Sequence, residues 1–157
     1  MKKYIGVKKI EAKPMTRGEY NKYRGWDIPQ NENPEDAGYL VKHSDNYESW
    51  SPKEIFEEAY KPCEHMNFGL AIEAMKKGHK VARKGWNGKG MFIFLTPGSQ
   101  VAYSKCKPET QKALIDHPRS VVEINPHIDM RAADGTLVIG WLASQTDMLA
   151  EDWVIVE

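Results

Sequence analysis

The residue types of a nucleophile, a base and an orienting group occur close together at Cys106, Asp116 and His117, and Ser104 offers a second nucleophile. No nucleophile elbow or other family signature surrounds them. A free cysteine more often serves as a small buried hydrophobe. A metal centre would draw on Cys63-x-His65 and His127-x-Asp129. Neither pair supplies the three or four ligands that zinc requires, and alternation on one strand face produces such pairs by chance. The patterns point away from nucleophilic hydrolysis and from a metal site.

Two other stretches suit the binding of an anion and a base. Gly85, Gly88 and Gly90 bracket Trp86, Asn87 and Lys89, but the spacing is neither a Walker loop nor a dinucleotide fingerprint. A hairpin turn with an exposed tryptophan is the simpler expectation. Trp141-Leu-Ala-Ser-Gln-Thr-Asp147 places two hydroxyls and several backbone N–H groups behind a strand. Such a segment can cradle an anion. Equally, Ser144, Thr146 or Asp147 can cap a terminal turn. Trp86 and Trp141 sit beside glycine and polar residues rather than inside apolar runs. Flat rings beside hydroxyls and amides suit a purine, for which stacking is worth about 1–3 kcal/mol per base. The alternative is an indole packed on a sheet with its N–H bonded to a carbonyl.

The elements that must position these residues fall into two halves. Lys3 to Ala12 alternates loosely around Tyr4, Val7 and Ile10, which predicts a strand that Pro14 stops. Thr16-Arg-Gly-Glu19 is a capping box opening a helix through Arg24, with Gly25 at its end. Residues 26–38 read as loop. Gly38–His43 and Tyr47–Trp50 form a hairpin turning on Asp45-Asn46. Ser51-Pro-Lys-Glu54 is a second capping box with proline at the first helical position, opening a helix to Tyr60.

The second half restarts near Cys63. Asn67 caps a helix whose apolar face is Phe68, Leu70, Ala71, Ala74 and Met75, and Gly78 ends it. Lys80–Arg83 and Met91–Leu95 read as strands, and Pro108–His117 as a helix. His127–Ala132 and Thr136–Trp141 flank Asp134-Gly135, a favoured hairpin turn, and Trp153–Val156 is a last strand. The order implies α+β with a mostly antiparallel sheet, a few short helices and a small N-terminal α/β extension.

Composition excludes several classes. The chain has 157 residues with 22 Lys+Arg against 22 Asp+Glu, so its formal net charge is zero. Strong non-specific attraction to nucleic acid polymers or anionic lipid is therefore absent. No run of about 18 apolar residues exists, so no membrane span is expected. Lysines in MKKYIGVKKIEAK have no apolar stretch behind them, unlike a secretory signal. Two cysteines suit a reducing compartment, and the expected location is cytoplasmic.

Several segments together carry a resemblance. Met66-Asn-Phe-Gly-Leu-Ala-Ile-Glu-Ala-Met-Lys-Lys-Gly78, Val81-Ala-Arg-Lys-Gly-Trp-Asn-Gly-Lys-Gly-Met-Phe-Ile-Phe-Leu95, Pro126-His-Ile-Asp-Met130 and Gly140–Trp153 resemble, in order, a phage domain family that includes the second type of Thoeris anti-defence proteins. The resemblance spans about residues 66–157. Ala12–Tyr20, Glu32-Asn-Pro34, Gly38–Val41 and Glu48–Pro52 resemble a separate small domain of phage and prophage proteins, giving expected domains at 1–62 and 66–157.

The resemblance implies a sponge rather than an enzyme. Such proteins bind the cyclic ADP-ribose isomer made by TIR-domain enzymes, leave it intact and so keep a lethal effector silent. They are homotetramers with the ligand between subunits, and some also take up cyclic dinucleotides at another site. It implies no cofactor, no metal and no catalytic residue. Phe68, Trp86 and Trp141 match the family's aromatic positions and are the stacking candidates. Arg83, Ser144 and Thr146 are the diphosphate candidates. Asn87 and Asp147 would read ribose or the base edge. Phe68 also fits the core, as the first apolar residue of an amphipathic helix, and Lys105, Lys107 and Arg119 fit a solvated face. Two rival readings stand beside the sponge: a phosphodiesterase that degrades such signals, and an adaptor that binds host protein through its tryptophans.

Overall fold

The computed structural model describes residues 1–2, 6–116 and 120–157. Contacts divide it into two units, Met1–Pro62 and Cys63–Glu157. The fold is α+β with antiparallel pairing throughout the described sheets.

In the first unit β1 (Glu11–Pro14), β2 (Gly38–Lys42) and β3 (Glu48–Pro52) form one sheet in that order. Helix α1 (Arg17–Arg24) follows β1, and α2 (Lys53–Ala59) follows β3. The first strand differs from its expected extent. It begins at Glu11 and includes Pro14, which an edge strand tolerates because one side of its backbone needs no partner. Lys3, Tyr4 and Ile5 lie outside the described residues. The Thr16 capping box forms in full, and Gly25 ends α1 with φ 70°. The second expected box does not form. Ser51 is paired with Tyr39 in the ladder, Pro52 becomes the N-cap, and no side chain caps α2. The hairpin turn carries Asn46 at φ 63°.

Arg17 is the centre of this unit. Its guanidinium makes a two-pronged pair with Glu32 at 2.7 and 2.6 Å, and Asn21 donates to the same carboxylate at 3.0 Å. The hydrogen bonds from Arg17 and Asn21 hold the Glu32 carboxyl down at about 2. Arg17 also lies 5.2 Å from the centre of the Trp50 ring, whose N–H donates to the Met15 carbonyl at 2.8 Å. The four pieces that carry the first half's resemblance thus converge on one cluster. A Cβ on Gly38 would enter the Trp50 ring and come within 2.5 Å of the Ser51 oxygen. Gly38→Ala is therefore expected to open this sheet, read as faster amide exchange across Tyr39–Val41. Unchanged exchange would show that Trp50 yields freely.

The second unit builds helix α3 (Phe68–Lys76) against a five-stranded sheet. Strands β4 (Lys80–Arg83) and β5 (Phe92–Thr96) follow the helix. Next come β6 (Ser99–Ala102), a 3-10 turn at Tyr103–Lys105, α4 (Pro108–Ala113) and β7 (Val121–Ile124). Strands β8 (His127–Arg131) and β9 (Leu137–Val138), α5 (Gln145–Met148) and β10 (Trp153–Val156) complete it. The large sheet runs β10-β4-β5-β8-β9, while β6 and β7 pair separately.

Asn67 caps α3 through its side chain, and Ala71, Ala74 and Met75 are the buried face. They meet Met66, Val81, Ile93, Met130 and Trp153 in one core. Each fully buried large aliphatic side chain there contributes about 1.5–3 kcal/mol. The structure adds one sheet and shortens two expected elements. The β6–β7 pair is absent from the sequence reading, because its strands are mostly exposed and lack a short turn. Helix α4 stops at Ala113 rather than His117, which lies outside the described residues together with Arg119. The strand expected through Trp141 ends at Val138, since Gly140 turns the chain at φ 74°.

Candidate ligand-binding site

The end of β4, the turn behind it, α5 and the start of β10 come together around one arginine. Antiparallel pairing sets Trp153 opposite Arg83, which brings Asp152 alongside. Arg83 Nε donates to Asp152 Oδ1 at 2.8 Å, and its Nη1 donates to Asp147 Oδ1 at 2.9 Å and to the Thr146 carbonyl at 3.3 Å. Only 13 % of the Arg83 side chain is exposed. The hydrogen bond to Asp152 leads in raising its already high pKa, burial opposes the rise, and Asp147 adds to it.

Asp147 organises the rest. Ser144 is the N-cap of α5, with its hydroxyl donating to Asp147 Oδ2 at 2.7 Å and accepting from the Asp147 N–H at 3.1 Å. The Trp86 indole N–H donates to Asp147 Oδ1 at 3.0 Å. Burial would raise the Asp147 carboxyl, but the hydrogen bonds from Ser144, Arg83 and Trp86 outweigh it and hold it at about 2. Asp152 is also lowered, first by Arg83, against the opposing effect of burial, and then by the Gly85 N–H, which reaches it at 2.7 Å.

Aromatic rings form the wall beside this network. Trp86 and Trp141 meet edge to face at 6.0 Å between centroids, and both contact the buried Trp153, at 5.4 and 6.4 Å. Trp86 is half-buried against the core and not the exposed turn residue expected. Phe68 tilts against the far partner Trp153 at 5.3 Å. Asn87 and Thr146 are exposed, and neither side chain makes a hydrogen bond among the described residues.

The structure therefore joins Arg83, Trp86, Trp141, Ser144 and Asp147 directly. Phe68 joins through Trp153, and Asn87 and Thr146 stand at the rim. Residues 66–156 match the family described as Tad2-like, the Thoeris anti-defense 2-like domain. The chain belongs to that family. Thoeris anti-defense 2 of Bacillus phage SP01 is 40 % identical over 91 residues, covering 58 % of this chain and 94 % of that protein. Every residue of the site lies inside the stretch that carries the Thoeris anti-defense 2-like domain.

Sequence reasoning missed Asp152 and Trp153. Both end the segment Gly140–Trp153 that carries the resemblance, but only the pairing of the last strand with β4 puts them beside Arg83. Among the described residues no group of three or more His, Cys, Asp or Glu side chains could hold a metal ion. Ser104 and Cys106 have no hydrogen bond to a described histidine. No helix of the described residues is long and apolar enough to cross a membrane.

Proposed function

We propose that this chain is a phage anti-defence protein that binds a cyclic nucleotide immune signal inside the host cell and withholds it from its effector without turnover. The observation that carries the reading is the pairing of a tryptophan wall with the Arg83–Asp147–Ser144 network in the family's own domain. The ligand is the cyclic ADP-ribose isomer of TIR-domain enzymes, with cyclic dinucleotides as a second class. Trp86 and Trp141 stack on the base, with Phe68 supporting them through Trp153. Asn87 and Thr146 are free to meet the ligand at the rim, while Asp147 takes a ribose hydroxyl or the base edge. Arg83 Nη1 and the Ser144 hydroxyl are already bonded to Asp147, so these donors reach a diphosphate only by exchanging it for that carboxylate.

The same unit leaves several large apolar side chains uncovered. Leu137, Val138, Ile139, Leu142, Met148 and Leu149 are all exposed, with Leu142 at 90 % and Leu149 at 81 %. Exposed apolar area of this amount suits an association surface. It supports assembly with further copies of the chain, by family resemblance a tetramer.

The test is depletion followed by release. Purified protein is expected to remove the cyclic ADP-ribose isomer from solution and, after heating, return it with unchanged mass. Trp86→Ala and Trp141→Ala should each weaken retention by tenfold or more, since lost stacking is worth about 1–3 kcal/mol per base. A shifted mass would make the chain a phosphodiesterase. No retention of this ligand or of cyclic dinucleotides would leave the adaptor reading, with the tryptophans as protein contacts.

A further inference from the structure

Asp129 is a buried carboxylate that the site described above does not use. It is 3 % exposed and sits on β8 opposite Phe94 of β5. A strand position this deep ordinarily takes an apolar residue, because burying a charge is costly unless hydrogen bonds compensate. Asp129 has those bonds. The Thr96 hydroxyl donates to Oδ2 at 2.5 Å, the Gly140 N–H donates to Oδ1 at 3.0 Å, and His127 Nε2 lies 3.5 Å from Oδ1.

The bond to Gly140 is the informative one. Gly140 has φ 74°, and it turns the chain from the sheet edge toward Trp141. The neighbouring side chains give that segment little hold, since Ile139 and Leu142 are 66 and 90 % exposed. What remains is the Trp141 ring itself, the Trp141 N–H to the Ile128 carbonyl at 2.7 Å, and the Gly140 N–H to Asp129. The two backbone anchors are adjacent residues bonded to adjacent residues of β8. They fix both the position and the direction in which the indole leaves the chain.

We infer that Asp129 is a positioning residue: it tethers the Gly140 turn so that Trp141 stands against Trp86 as one wall of the ligand site. The inference rests on the sequestration reading for its consequence, though the tether itself can be measured without ligand. Loss of the acceptor frees the turn, and Trp141 then samples directions in which it no longer faces Trp86. Asparagine at this position keeps an oxygen for the Gly140 N–H, and alanine keeps none.

The experiment uses the full chain. In the unsubstituted protein the Gly140 amide should exchange far more slowly than that of Ile139. The emission of Trp141, taken as the difference between matched chains with and without Trp141→Phe, should shift red and quench more readily with acrylamide in Asp129→Ala. It should return toward the original in Asp129→Asn. Affinity for the cyclic ADP-ribose isomer should fall about tenfold or more in Asp129→Ala and recover in Asp129→Asn. A folded Asp129→Ala with unchanged Trp141 emission would overturn the tether, as would an Asp129→Asn no better than Asp129→Ala. If Asp129→Ala does not fold, rapid exchange of the Gly140 amide in the unsubstituted chain overturns it instead. If the unsubstituted protein fails to bind the ligand, the sequestration reading falls while exchange and emission still judge the tether.

Discussion

Trp153→Ala is expected to cost the Cys63–Glu157 unit about 3–5 kcal/mol, the usual range for removing a large buried aromatic. Trp153 is fully buried, its ring contacts Phe68, Trp86 and Trp141, and its N–H donates to the Asp147 carbonyl at 3.0 Å. Its backbone also bridges to Met66 at the entry to the unit. Against a total stability of about 5–15 kcal/mol for a typical domain, that loss takes a large share. The urea midpoint followed by circular dichroism should drop sharply, and Trp153→Phe should drop less because it refills most of the volume. Ligand retention should fail with the fold, since Trp86 and Trp141 both lean on this indole. A midpoint equal to that of the unsubstituted chain would show that helix and sheet close without it.

Asp147→Ala should have the next largest effect, roughly 2–4 kcal/mol of stability. It removes an acceptor from the Trp86 indole and from Arg83, and it strips the reciprocal cap of α5. Asp147→Asn should fall between, keeping an acceptor for Trp86 but no charge for Arg83. Acid should reproduce the loss. The carboxyl is held at about 2 against an ordinary 3.8, so its folded form is the more acidic. A group depressed in this way stabilises the fold above its ordinary value, and the contribution fades as pH falls from about 4 through about 2. That contribution is roughly 2 kcal/mol, so thermal unfolding of the unsubstituted chain should weaken across that window. Asp147→Ala should weaken less over the same range. Parallel curves for the two chains would show that another group carries the acid sensitivity.

Much of the secondary structure was legible because its signals are local. Thr16 and Asn67 cap helices through their own side chains, Gly25 and Gly78 end helical segments with positive φ, and Asp134-Gly135 turns a hairpin with Gly135 at φ 89°. Where a local signal met a competing pairing, the pairing won. Ser51 went into the ladder with Tyr39 rather than onto α2. The β6–β7 pair escaped notice because nothing in either strand alternates strongly enough to announce a partner about twenty residues away.

The candidate site divides the same way. By itself the sequence determined the residue types, a cap at Ser144, Thr146 or Asp147, the two tryptophans beside glycine turns and the resemblance of residues 66–157. Of the two readings open for Ser144 the structure shows the cap, and the Asp147 it caps with also accepts from Trp86. Tertiary structure alone decided that β10 pairs with β4, which gives Arg83 its second carboxylate in Asp152 and sets Trp153 against both wall tryptophans. It also decided that Asp129 reaches Gly140. The reason is physical: caps and turns are satisfied within a few residues, whereas a buried charge or indole is satisfied by whichever distant strand the core brings alongside.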